Sequence, residues 1–257
     1  MSAAAAPSRG MLGPQLLGTA SLGALVALVE VLIRLAVINP YIVPLPSAIV
    51  QSFGRVIAEE DVLSRFALTS GEALGAGLLV TIVGVPLGVL LQRVTDLRLA
   101  FETWVAAFAA APIVLAYPLF LVIFGRSALT ITMIGFVAGL APVILKTIEG
   151  LAGVRRVLID VGQSFKLTPW QSFWKIEFPA AVPTIFTGLR LGLIFALINV
   201  VGVEFLINFG GLGQLINELA ERYDLPGTYA AILFVILVSV VFFAAIQRIE
   251  RWLRPTA

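Results

Sequence analysis

Long, uninterrupted apolar runs are the feature that most constrains the fold of this chain. A helix needs about 20 predominantly apolar residues to cross a bilayer, and runs of that length follow one another from residue 16 to residue 246. Only helices and closed barrels satisfy their backbone hydrogen bonds in hydrocarbon. A barrel would show alternating segments of about ten residues. The unbroken runs therefore predict an all-α integral membrane protein.

The composition agrees with lipid as the main solvent. Charged residues make up 12% of the chain and hydrophobic ones 60%, whereas a soluble domain has roughly 25% charged residues. Cysteine and histidine are absent, which excludes disulfides, imidazole bases and the usual zinc ligands. A net charge of +2 without a basic stripe argues against nucleic acid as a partner.

The apolar pattern predicts about six transmembrane helices within one domain, residues 16–254, after a cytoplasmic tail, residues 1–15. Glu30 and Arg34 lie one turn apart in the first span, and we expect them to form an ion pair. Ser47 is expected to cap a short interfacial helix. The predicted spans are residues 16–38, 66–91, 104–124, 128–145, 184–209 and 228–246; the interfacial helix is 48–58, a polar turn is 92–102, and an outer helix is 214–222.

The distribution of positive charge predicts the orientation of the chain. With six spans, both termini and residues 146–183 lie on the same side. Of the 17 Lys and Arg residues, 12 fall on that side, 4 fall on the other, and Arg34 lies within a span. Because cytoplasmic loops carry the excess of Lys and Arg, we expect both termini and residues 146–183 to be cytoplasmic.

The segment 146–183 is the longest polar stretch of the chain, and its pattern is amphipathic. Thr168 and Pro169 have the residue types of a helix cap and a first helical position. Trp170, Phe173 and Trp174 follow as an aromatic stripe. The pattern fits a docking element for a cytoplasmic partner, and it fits equally well two helices whose aromatic residues lie at the membrane interface.

Residues 160–183 resemble the EAA loop of ABC importer permeases, which reads Glu-Ala-Ala, three residues, Gly, about nine residues, an apolar residue and Leu-Pro. Asp160 stands at the Glu of that motif, Gly162 at its second Ala and Lys166 at its Gly. More narrowly, the chain resembles the nitrate/taurine/sulfonate branch. The further stretches that agree are residues 43–47, 145–151, 187–190, 203–204 and 211–216.

This resemblance implies a type I ABC importer permease-like bundle with a cytoplasmic coupling-helix loop, in a bacterial cytoplasmic (inner) membrane. Its implied partners are a cytoplasmic ABC ATPase dimer, a second permease (the same chain or a paralogue) and an extracytoplasmic substrate-binding protein. ATP and Mg would be bound by the ATPase, and no cofactor by this chain. The implied solute is a small organic anion. The implied ATPase-coupling residues are Asp160, Gly162, Lys166, Leu167, Thr168, Pro169, Trp170, Phe173, Pro179 and Pro183.

Lys166 is the main departure from the motif, because Gly allows a left-handed turn that Lys adopts less readily. The turn is therefore expected to be built differently here, or to meet an unusual partner.

Polar residues in the spans are candidates for a translocation pathway. Glu204 is expected to act as a gate or structural group. The candidates are Tyr117, Asn199, Glu204 and Asn208. Two other classes compete with an importer subunit. A self-contained secondary carrier or channel would show an internal repeat and more buried charges, and a membrane enzyme would show clustered catalytic groups; the sequence shows neither.

Overall fold

The computed structural model describes residues 12–253, and each regular element in that range is helical. Residues 1–11, most of the predicted tail, lie outside the described residues. The helices are α1 (Leu12–Arg34), α2 (Pro46–Glu59), α3 (Val62–Arg93), α4 (Thr95–Ala109), a 3₁₀ turn (Ile113–Ala116), α5 (Tyr117–Phe124), α6 (Ala128–Ala152), α7 (Arg156–Ser164), α8 (Pro169–Ser172), a π turn (Phe173–Glu177), α9 (Phe178–Ile207), α10 (Gly211–Glu221) and α11 (Leu225–Leu253).

The helical membrane architecture predicted from the sequence is confirmed. Within the described range, five helices are long and apolar enough to span a bilayer, and the bent pair α4–α5 brings the number to six if it counts as one span. The core consists of α3, α6 and α9, which pack along one another. Small residues allow this approach: a Cβ atom at Gly88 would lie 2.5 Å from Cβ of Thr147. Such small-residue contacts are typical of helix packing in lipid.

The two ends of the bundle differ in character. The 32 residues of α3 make it about 48 Å long, so its first and last residues mark opposite ends. Near Val62, α2, α10 and α11 enclose an apolar cluster around Leu212 and Leu215. Arg93, at the other end, contacts the segment that holds α8. Three ion pairs tie the first end together: Arg55–Asp224, Arg65–Glu218 and Arg222–Glu60.

The first helix touches little of the bundle except α2. The predicted pair of Glu30 and Arg34 is present at 2.6 Å. The cap predicted at Ser47 is wrong, because α2 begins one residue earlier at Pro46 and its N-cap is Leu45. Ser47 instead donates its hydroxyl to Glu30 at 2.8 Å, so the Glu30 carboxylate joins the end of α1 to the start of α2.

The region around the third span differs from the prediction. Most of the expected polar turn, residues 92–102, is helical, because α3 runs to Arg93 and α4 begins at Thr95. The predicted third span contains Pro112 and Pro118, and it is sharply bent: the axes on the two sides of the break differ by 91°. Pro112 cannot donate a backbone hydrogen bond, and it is the residue before the 3₁₀ turn.

The polar segment predicted as residues 146–183 is shorter in the structure. The fourth span continues as α6 to Ala152, and α9 begins at Phe178. Pro183, the last residue of the predicted segment, lies inside α9, and Pro179 is the second residue of α9, which continues from the π turn without a break. The outer helix predicted at residues 214–222 begins three residues earlier, at Gly211.

Candidate functional site

A tight turn joins α7 to α8 and presents the most exposed part of the EAA-like segment. The N–H of Lys166 donates to the carbonyl of Gln163 at 2.8 Å, and the N–H of Leu167 donates to the carbonyl of Gly162 at 3.1 Å. This pair of bonds is the Schellman motif, whose left-handed position is Lys166 with φ +54°. Of the two alternatives, a turn that is built differently around Lys166 is therefore wrong, and an unusual partner stays a prediction.

Gly162 is buried where α7 meets the π turn. A Cβ atom there would lie 2.7 Å from Cδ1 of Ile176. This close approach explains locally why Gly occupies the second Ala position of the motif. Asp160, in the same helix, is exposed, and its backbone carbonyl accepts a bond from the Ser164 hydroxyl at 3.0 Å.

The start of α8 is fixed by its cap, as predicted. Thr168 accepts from the N–H of Gln171, whose side chain accepts from the N–H of Thr168, so the two form a capping box. Pro169 occupies the first turn. Trp170 is 66% exposed, whereas Phe173 is 4% exposed. The capped helix thus presents the Trp170 ring at the surface, between two other exposed aromatic rings, Phe165 at 76% and Trp174 at 48%.

Phe173 attaches this helix to the core. The guanidinium of Arg93, at the end of α3, lies 4.1 Å from the centre of the Phe173 ring, a cation–π contact. Trp174 and Phe178 pack against the same ring at 5.1 and 5.6 Å. Phe173 therefore joins the α8 segment to the end of α3 and to the start of α9.

Two grooves flank α8. One, of about 530 Å³, lies between α7 and α8 and is lined by residues that include Gly162, Leu167 and Glu177. The other, of about 430 Å³, is almost wholly apolar and runs from Trp170 and Trp174 to Pro86 on α3. The segment between α6 and α9 therefore has two clefts beside the exposed Trp170 ring.

The four pathway candidates do not form one cluster. Tyr117, at the start of α5, packs on the apolar core around Ile131. Asn199 is half-buried and donates to the carbonyl of Phe195 at 2.9 Å. Asn208 ends α9 in a left-handed conformation, φ +53°, and its carbonyl accepts a bond from Arg126. Of the four, the contacts join only Asn208 and Glu204, through the backbone of α9.

Glu204 is fully buried. Its Oε1 accepts from the hydroxyl of Thr69 on α3 at 2.7 Å, and its Oε2 accepts from the N–H of Gly213 at 2.8 Å. The hydroxyl of Thr69 accepts in turn from the N–H of Leu212 at 2.9 Å. Because two N–H groups of the first turn of α10 are satisfied this way, Glu204 stabilises the start of that helix.

The structure adds a residue that the sequence reasoning missed. Glu72 on α3 is 4% exposed, and its carboxyl group faces that of Glu204. The sequence could have indicated this residue by its position within the second predicted span, because a carboxyl group inside a span usually has a function. Among the described residues, no group of three or more acidic residues has a metal-binding arrangement.

Comparison with known families gives a match over most of the chain. A family model described as "Binding-protein-dependent transport system inner membrane component" matches residues 81–255. The formylaminopyrimidine transport permease protein ThiX of Halalkalibacterium halodurans is 26% identical, covering 84% of this chain and 86% of that protein. The taurine transport system permease protein TauC of Escherichia coli is 22% identical, with 92% and 89% covered.

One further relative and one solved structure also match the chain. The riboflavin transport system permease protein RibX of Chloroflexus aurantiacus is 26% identical, with 83% of this chain and 80% of that protein covered. Among solved structures, an inward-facing conformation of the MetNI methionine ABC transporter matches with a TM-score of 0.66 at 19% identity, covering 76% of this chain and 96% of that one. At this identity the likeness shows the fold alone.

Proposed function

The chain belongs to the family of binding-protein-dependent transport system inner membrane components, and on that premise we propose that α7, α8 and the turn between them dock a cytoplasmic ATPase. As a multi-pass permease subunit of an ABC importer, the chain works with an ATPase in a separate subunit and with a binding protein. The observation that carries the proposal is the exposed Trp170 ring on a capped helix.

Coupling follows from the contacts beneath Trp170. When the two ATPases close on ATP and Mg, they would pull the α7–α8 segment of each permease. Phe173 is buried between Arg93 and Trp174. The pull therefore reaches the last turn of α3 and the first turn of α9, two helices of the core. The same bundle would then change from inward-open to outward-open.

Site-directed cross-linking tests this docking, and the absence of native cysteine makes each introduced thiol unique. A Gln171→Cys variant is co-expressed with its cognate ABC ATPase and treated with a short bifunctional reagent. We expect cross-linking to the ATPase, with a yield that changes when ATP is added. The matched control is Tyr223→Cys, at a residue that is 90% exposed at the opposite end; equal cross-linking of both variants would refute the docking site.

The same two variants test the orientation, in which both termini and α8 are cytoplasmic. A membrane-impermeant maleimide added to spheroplasts should label Tyr223→Cys and leave Gln171→Cys unlabelled until the membrane is permeabilised. The reverse pattern would invert the topology.

The pathway is proposed to form between two permease subunits, either two copies or a pair of paralogues. Tyr117 and Asn199 are proposed to line it, and Glu204 and Asn208 to act at its gate. A heterodimer and a homodimer are distinguished by co-purifying two differently tagged copies of this chain. Recovery of both tags in one complex with the ATPase supports the homodimer.

The transported solute is proposed to be a small organic anion of the sulfonate, nitrate or aromatic-acid type. The relative named for taurine, which carries a sulfonate, supports this class, whereas those named for riboflavin and formylaminopyrimidine represent other chemistry. ATPase stimulation in reconstituted complexes with the cognate binding protein is the test. Stimulation by taurine or an alkanesulfonate is expected, and stimulation by riboflavin alone would exclude the anion.

A further inference from the structure

The buried carboxyl pair formed by Glu72 and Glu204 is not used by the coupling proposal, although it lies in the core. Glu72 is the eleventh residue of α3, about 15 Å along the axis from Val62. Both glutamates are at most 4% exposed. Two adjacent ionised carboxylates in such surroundings repel each other, and each also loses its hydration.

The hydrogen bonds of the two groups are unequal, and this inequality fixes their roles. Both oxygens of Glu204 accept bonds, from Thr69 and from Gly213. Neither oxygen of Glu72 has a donor within reach among the described residues. A buried carboxylate without any donor is strongly disfavoured. A carboxylic acid at Glu72 removes the problem, because its O–H can donate to the Glu204 carboxyl group that faces it.

We propose that Glu72 holds a proton and donates it to Glu204, so that a carboxylic acid–carboxylate bond joins α3 to the junction of α9 and α10. The ligand of this site is therefore a single proton shared by two glutamates. Glu204 is then fixed by three donors: one from Glu72, one from Thr69 and one from the first turn of α10. Loss of the proton would place two negative charges side by side and release the start of α10 from α3.

The charged side chains on the surrounding elements are engaged elsewhere. Among the described residues, a proton is therefore all that offsets the repulsion between the two glutamates. On α3 and α10, Arg65 and Glu218 pair with each other at 2.8 Å. Between Ala128 and Leu145 α6 carries no charged residue, and between Leu191 and Ile207 α9 carries none except Glu204. Arg126, beyond the end of α5, donates to the carbonyl of Asn208.

A metal cation fits this site less well than a proton does. Hard cations take about six or more oxygen ligands. Here the oxygens of Glu204 already receive N–H and O–H donors, whose hydrogens would face a bound cation. The Thr69 hydroxyl accepts from Leu212 and donates to Glu204, so it too is engaged.

Infrared spectroscopy of the full chain in lipid nanodiscs tests the proposal directly. With glutamate labelled by ¹³C in the side-chain carboxyl, we expect a carboxylic-acid C=O band at neutral pH that shifts on labelling. The band should disappear in Glu72→Gln and persist in Glu221→Gln, a control at an exposed glutamate bonded to Asn217. Absence of the band in the wild type, or its persistence in Glu72→Gln, overturns the proposal.

Thermal unfolding gives an independent readout. Glutamine at position 72 still donates an N–H to Glu204, so Glu72→Gln should melt within about 2 °C of the wild type, a change that corresponds to less than about 1 kcal/mol. Glu204→Gln places an amide against existing donors and should melt lower. Equal destabilisation by both substitutions contradicts the unequal roles. A rise in melting temperature with sodium that Glu72→Gln abolishes would identify a cation in place of the proton. Both readouts are independent of whether α8 docks an ATPase.

Discussion

Gly139 on α6 and Gly192 on α9 pack backbone against backbone. A Cβ atom at Gly139 would lie 2.6 Å from the carbonyl oxygen of Gly192, and one at Gly192 would lie 2.8 Å from the carbonyl oxygen of Gly139. The obstacle is main chain on both sides, so rotation of a side chain cannot relieve it. The two central helices of the bundle approach as closely as they do because neither has a side chain at this crossing.

Gly139→Ala should therefore separate α6 from α9 and destabilise the protein. Overpacking of this kind costs about 1–3 kcal/mol, which should appear as a lower midpoint in denaturant titration of the purified protein. The control is Gly23→Ala on α1, where a Cβ atom would meet nothing within 4 Å. That variant should be neutral or gain up to about 1 kcal/mol from helix propensity, and an equal loss in both variants would contradict the packing argument.

The Arg65–Glu218 pair joins α3 to α10 at 2.8 Å, with both side chains about one-fifth exposed. A double-mutant cycle with Arg65→Gln and Glu218→Gln should give a coupling energy of about 1 kcal/mol, at the upper end for such pairs. The Lys146–Glu149 pair, whose carboxylate is 61% exposed, is the comparison and should couple by a few tenths of a kcal/mol at most. Similar coupling in the two pairs would show that burial does not strengthen the first.

Part of this architecture could be predicted from the sequence, and the features that were missed have physical explanations. Apolar length identified the spans, because bilayer thickness sets it, and local chemistry identified the Thr168 cap. The continuation of α6 to Ala152 was missed, since hydropathy detects where lipid ends but not where a helix ends. Glu72 and Thr69 were missed because their importance depends on Glu204, which lies over a hundred residues away in sequence.

Lys166 tests how much the left-handed turn between α7 and α8 matters. At φ +54° an L side chain carries a cost of about 1–2 kcal/mol, which Gly avoids. Gly also increases the entropy of the unfolded chain by roughly 0.5–1 kcal/mol. Lys166→Gly is therefore expected to be neutral or to stabilise the protein by up to about 1 kcal/mol, with uptake retained.

The matched variant is Lys166→Val, because a β-branched residue is poorly tolerated at positive φ. It should destabilise the protein relative to Lys166→Gly, as measured by the denaturant midpoint. Loss of complex assembly in Lys166→Gly with stability unchanged would instead show that the Lys166 ammonium makes a contact of its own with the partner.

Trp170 and Phe173 belong to one aromatic stripe in the sequence, but the structure separates their roles. Trp170 is 66% exposed and Phe173 is 4% exposed. Trp170→Asp should therefore leave the purified permease folded, with a melting temperature close to the wild type, and should reduce ATP-driven uptake at least tenfold by weakening the ATPase contact. Phe173→Ala removes the buried ring that packs against Arg93 and Trp174 and should lower stability by about 3–5 kcal/mol.

Uptake and stability must be measured together, because loss of uptake alone would not distinguish the two effects. Uptake is followed in cells carrying the complete transporter, stability by thermal unfolding of the purified chain, and ATPase binding by co-purification. Trp170→Phe keeps an apolar ring at the tip and should retain most uptake. Full uptake in Trp170→Asp would exclude this tip as the coupling contact, whereas loss of both uptake and folding in Trp170→Asp would mean that the ring supports the segment rather than the partner.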